Sequence, residues 1–81
     1  MSASDSHLVT IGKLARGAGV LPSTVRYYVK EGLLQVTSHT PGGFFLFDRG
    51  STLKRIERIQ ALKERRLTLA EIREQLHKET V

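Results

Sequence analysis

Apolar residues recur three and four positions apart in four stretches of the chain, a helical spacing, and crowd into one short run, "FFLF" at 44–47, that reads as a strand. The first helical stretch opens at Thr10, a good capping residue, with Val9 and Leu14 spaced to pack over the first turn. It runs to about Arg16, after which Gly17 and Gly19 supply the backbone freedom for a tight exit. The second begins near Pro22, which suits a first turn because the N–H it lacks has no helical partner there. Leu21 stands where a polar cap is expected, so Ser23 or Thr24 is the alternative cap, and Gly32 ends the helix.

Strand-favouring residues around Val36 and from Phe44 to Phe47 flank the turn-rich "SHTPGG", which predicts a β-hairpin with a loop longer than two residues. Asp48 or Ser51 then caps a third helix to about Arg65. It carries Leu53, Ile56, Ile59 and Leu62 inward and Lys54, Arg55, Arg58 and Lys63 largely outward, before a break at Arg66. In "LTLAEI", Thr68 and Glu71 have the spacing of a capping box and Leu67 and Ile72 that of a hydrophobic staple. Leu69, Ile72 and Leu76 form the buried side of this fourth helix. The small polar start "MSASDSH" makes residues 1–8 a disordered segment ahead of one domain at 9–79. The predicted fold class is mainly α with a small β-hairpin: about four helices plus a two-stranded wing.

Two helices joined by a glycine turn are common, so the apolar spacing must decide whether the first pair is a helix-turn-helix. Leu14, Ala15, Ala18, Val20, Val25 and Tyr28 fill the inward positions, Ala15 is small where the helices cross, and Gly19 lies in the turn. On the second helix Val25, Val29 and one edge of Tyr28 point inward, which leaves Ser23, Arg26, Tyr27 and Lys30 outside. There an arginine grips a phosphate or a guanine edge, and a tyrosine hydroxyl reaches a phosphate oxygen. The competing structural reading makes Tyr27 and Tyr28 amphipathic aromatics at the core edge and pairs Arg26 with a nearby carboxylate.

Composition narrows the partner. An 81-residue chain buries a modest core with little room for a catalytic cavity, which favours a binding module over an enzyme. Its 13 Lys+Arg against 8 Asp+Glu give a formal charge of +5, suited to a polyanion. Cysteine is absent, which removes disulfide and thiolate chemistry. His7, His39 and His77 stand far apart without carboxylates at ligand spacing, so neither metal nor cofactor is expected. "GVLPST" has neither the glycine spacing nor the lysine of a phosphate loop. With no apolar run long enough to span a bilayer and no signal peptide, a cytoplasmic location beside the nucleoid is expected.

The elements "TIGKLARGAGVLPSTVRYYVKEGLL", "GGFFLF" and "RLTLAEIREQL", in this order, resemble the DNA-binding domain of the MerR family of bacterial transcription regulators, over about Val9 to Leu76. The resemblance implies a winged helix-turn-helix whose second helix enters the DNA major groove with the hairpin beside it. It further implies dimers on inverted repeats in promoters, with distortion of the spacer DNA. By position, Arg26 and Tyr28 match family DNA contacts and Tyr27 the aromatic between them. Ser23 stands where the family often has lysine or arginine, and His39 lies near a loop position often held by arginine. Thr10, Lys13, Thr24, Lys30, Phe44, Phe45, Arg49 and Lys54 complete the candidate DNA-contacting set. The wing departs from the family's Gly-Tyr-Arg-x-Tyr: Gly43-Phe44-Phe45-Leu46-Phe47 puts Phe45 in place of the phosphate-gripping arginine. Either Phe45 packs on the hairpin or third helix, or it is an exposed aromatic that meets a protein or a groove sugar.

Three functions follow in order of expectation: a sequence-specific, double-stranded DNA-binding transcription regulator; an excisionase-like architectural protein that bends DNA; and a protein-interaction module using the aromatic wing. The expected partners are promoter or operator DNA, with RNA polymerase or a regulatory protein behind it. A homodimer would form on DNA or through sequence beyond Val81.

Overall fold

Two helices end in the same device. In the computed structural model, which describes residues 8–80, α1 (Ile11–Ala18) starts at Thr10, whose hydroxyl accepts a long bond from the Lys13 amide (3.4 Å). It closes with Gly19 at φ 73°, while the Gly19 and Val20 amides donate back to Arg16 and Ala15. α2 (Pro22–Lys30) closes likewise, with Gly32 at φ 78° and the Gly32 and Leu33 amides donating to Val29 and Tyr28. Both are Schellman closures, which need a left-handed residue that glycine adopts without strain. Because Gly19 alone supplies it, Gly17 remains helical and α1 runs two residues past the predicted Arg16. The cap of α2 is Leu21, with no side-chain bond, and not Ser23 or Thr24, which lie inside the helix. Pro22 holds the residue before it extended and needs no acceptor of its own.

The hairpin is part of a three-stranded antiparallel sheet, where the sequence predicted two strands. β1 (Leu8–Val9) and β2 (Ser38–His39) flank β3 (Phe45–Asp48), in register Leu8↔Asp48, Val9↔Phe47, Ser38↔Leu46 and His39↔Phe45. Of the segment predicted to be disordered, residues 1–7 lie outside the described residues. Leu8 is corrected to a strand position, held by its pairing with Asp48. Val36 falls outside the strands and packs half-buried on the core; pairing starts where the Thr37 amide donates to Leu46 O (2.8 Å) and its hydroxyl accepts from the Asp48 amide (2.9 Å).

Asp48 ends β3 and caps α3 (Arg49–Glu64), its carboxylate accepting from the amide and hydroxyl of Ser51 (3.0 and 2.7 Å). Thr52, Ile56, Ile59 and Leu62 form the buried row; Leu53, predicted inward, is half-buried beside it. The break at Arg66 has φ 65°. Before α4 (Leu69–Thr80) the capping box closes both ways: the Thr68 amide donates to the Glu71 carboxylate (2.8 Å) and the Glu71 amide to the Thr68 hydroxyl (3.1 Å). One core joins all layers, drawing Leu14 and Ala15 from α1, Val25 and Tyr28 from α2, Phe47 from the sheet and Ile72 and Leu76 from α4.

Three arginines brace the frame. Arg55 Nε donates to Leu33 O (3.1 Å) and Arg73 Nε to Glu31 O (3.0 Å), so α3 and α4 both hold the chain leaving α2. Arg58 grips both carboxylate oxygens of Glu79, the shortest bond 2.6 Å, and ties the last turn of α4 to α3. That grip, with a further bond from the Gln75 amide, holds the Glu79 carboxyl below the usual carboxylate range. A depressed carboxyl stabilises the fold above its unfolded pKa, and the contribution vanishes as pH falls through the folded one. Urea midpoints of the parent chain and of Glu79→Gln are therefore expected to differ slightly at neutrality and to converge as the pH falls through the folded carboxyl's lowered pKa.

Candidate nucleic-acid interface

α2 is seated from one side. Val25 and Tyr28 are buried and Thr24 and Val29 half-buried, whereas Ser23, Arg26, Tyr27 and Lys30 are all exposed. The exposed four are spaced three, one and three residues apart and make a single stripe along a helix of period 3.6. A nine-residue helix of about 13 Å presenting such a stripe matches the major groove, which admits an α-helix. Arg26 makes no ion pair among the described residues, against the alternative that pairs it with a carboxylate.

Beside the start of the stripe lies an open cleft of about 470 Å³, lined by Thr10, Ile11, Gly12, Pro22, Arg26, Gly43, Phe44 and Phe45. The first turns of α1 and α2 form one wall and the wing tip the other. Of the candidate residues, the fold thus brings Thr10, Arg26, Phe44 and Phe45 together. Lys13 is exposed on α1, and His39 is exposed on β2 with its ring edge-on to Phe45 at 5.4 Å. Arg49 and Lys54 are exposed on the first turns of α3, and the Arg49 guanidinium reaches Gly17, at the far end of α1 from the cleft.

Three candidates are more buried than a DNA-contacting role expects. Tyr28, placed among the DNA-contacting residues, is 1 % exposed and is one of the largest core side chains. Its ring offers no open face to a ligand; it seats α2, with the Lys63 ammonium 5.8 Å from its centre. Thr24 is half-buried beside it. Phe45 takes the packing alternative, half-buried and edge-on to both His39 and Phe47, and the exposed wing aromatic is its neighbour Phe44.

The same Lys63 contact brings to α2 a cation that spacing alone did not single out. Lys63 stands over the Tyr28 ring of α2, and Lys63, Arg65 and Arg66 are all exposed around the α3–α4 corner. Three cations within four residues at an interhelical turn were the available signal.

Paired helices with a glycine turn, an exposed polar stripe on the second and a hairpin beside it define a winged helix-turn-helix domain. A profile of MerR HTH family regulatory proteins matches residues 9–79. The nodulation protein NolA of Bradyrhizobium diazoefficiens is 43 % identical over 63 residues, 78 % of this chain and 26 % of that protein. The HTH-type transcriptional regulator ZntR of Escherichia coli K12 is 39 % identical over 66 residues, 82 % of this chain and 46 % of that protein. Among solved structures, PbrR691 of Ralstonia metallidurans, a transcription regulator in complex with lead(II), superposes with a TM-score of 0.80 at 36 % identity, over 89 % of this chain and 56 % of that one. HiNmlR, a MerR family regulator lacking the sensor domain and bound to promoter DNA, superposes with a TM-score of 0.78 at 27 % identity, over 90 % and 55 %. The chain belongs to the MerR HTH family and is a DNA-binding domain of that family's transcription regulators. It spans about a quarter of NolA and under half of ZntR. No helix among the described residues is long and apolar enough to cross a membrane.

Proposed function

We propose that the domain reads promoter DNA by laying α2 in the major groove, with Ser23, Arg26, Tyr27 and Lys30 against bases and phosphates and the wing along the flanking backbone. The observation that carries this reading is the one-sided seating of α2, whose four exposed residues form a stripe beside the wing cleft. Lys63, over the Tyr28 ring, and the exposed Arg65 and Arg66 that follow it add positive charge suited to phosphates rather than bases. Two copies bind an inverted repeat as a dimer and switch transcription there, and RNA polymerase is the further partner.

Selection from a pool of random duplexes, followed by fluorescence anisotropy at several salt concentrations, tests the proposal. The expected result is a motif bound at least ~1000-fold more tightly than scrambled DNA, with inverted-repeat symmetry. Binding that is sequence-blind and disappears at physiological salt would leave only a basic surface, and the proposal would fall.

A further inference from the structure

The wing carries no lysine or arginine between Thr37 and Asp48, and its tip is Phe44, 71 % exposed. Single exposed apolar side chains are ordinary, but this one is fixed in place. The Phe44 amide donates to the Thr40 hydroxyl (3.0 Å) and its carbonyl accepts from the Thr40 amide (2.9 Å). The Gly43 amide, at φ 90°, donates to Thr40 O (2.8 Å) and closes the turn. The ring lies over Gly42, 3.5 Å from where a β-carbon there would stand. Across the cleft are Ile11, Pro22 and Arg26, the last its single formal charge.

We infer that Phe44 covers a deoxyribose of the strand whose phosphate Arg26 holds, so that the wing adds to DNA affinity by apolar contact and not by charge. The inference rests on the DNA-binding reading above. The occupant follows from the cleft's composition. An apolar peptide segment would cover Arg26 without a counter-charge, which is costly. A sugar–phosphate strand offers an apolar ring to Phe44 and an anion to Arg26 together, and the chain's charge of +5 draws it in. The preformed turn spares the ordering cost that a flexible aromatic would incur on binding.

Anisotropy titrations of Phe44→Ala and Phe44→Lys, on a selected duplex and a scrambled one across a salt series, test this. Phe44→Ala is expected to weaken binding to both duplexes by a similar factor, roughly tenfold for partial burial of a phenyl ring, without altering the salt slope. Phe44→Lys is expected to recover affinity at low salt and to steepen the slope by about 0.9, one counter-ion's worth. Since the side chain is exposed, the thermal midpoint of Phe44→Ala should match the parent and exclude unfolding as the cause. If Phe44→Ala binds like the parent while Arg26→Ala is weakened, the inference is overturned and the DNA reading stands. A flatter salt slope in Phe44→Ala would overturn it too, because a neutral ring releases no counter-ions. A parent chain that binds neither duplex would remove both.

Discussion

Tyr28→Ala is expected to remove a large share of the stability of this domain and to weaken its DNA binding with it. The ring is 1 % exposed, at the centre of a core shared by all four helices and β3. Truncating a buried aromatic of this size costs about 3–5 kcal/mol, whereas a chain of this length is stable by roughly 4–12 kcal/mol. The loss also falls where α2 ends, because the Tyr28 carbonyl accepts from the Leu33 and Leu34 amides (2.8 and 3.3 Å). Urea unfolding followed by circular dichroism measures the loss. Tyr28→Phe makes the result interpretable, since it keeps the ring and deletes only the hydroxyl. With Tyr28 as a seating residue, Tyr28→Phe should fold and bind DNA within a few-fold of the parent. A tenfold weaker complex at unchanged stability would show instead that the hydroxyl reaches the DNA.

Periodicity put Tyr28 among the inward positions, where the structure has it, and its assignment as a DNA contact came from the family resemblance. Periodicity assigns a residue to a side of a helix but not to a depth, and position 28 lies three residues after Val25, at the boundary of the buried arc. The depth is set by α3, whose last turn brings Lys63 over the ring. Features written in local chemistry were legible: the Thr10 and Asp48 caps, the Thr68–Glu71 box and the glycine closures all involve residues within a few positions of one another. Features that need distant partners were not. β1 is two residues long and exists because Asp48 and Phe47 pair with it across the chain. Whether Phe45 packs or stands exposed turns on its meeting His39 and Phe47, and a strand's alternation separates two sides without saying which one is covered. Lys63 was visible as charge, but its closeness to α2 depended on how the helices pack.

Arg26→Ala should have the largest effect on DNA affinity of any single exposed side chain, with almost none on stability. The residue is exposed and without an ion pair among the described residues, so its removal should shift the unfolding midpoint by less than about 0.5 kcal/mol. Arg26 stands both in the stripe and in the cleft wall facing Phe44, where the DNA strand proposed above sets a phosphate against it. A charge-assisted bond of this kind is worth about 1.5–3 kcal/mol, which is a loss of roughly tenfold to a hundredfold. Because a phosphate is the same in every sequence, selected and scrambled duplexes should weaken alike, and the salt slope should flatten by about 0.9. Arg26→Lys should restore the slope but only part of the affinity, as an ammonium keeps the charge and loses the fork. Were the contact a guanine edge instead, the selected duplex alone would weaken and discrimination at one base pair would relax. Affinity unchanged on both duplexes would take Arg26 out of the interface and leave the cleft without its proposed phosphate contact.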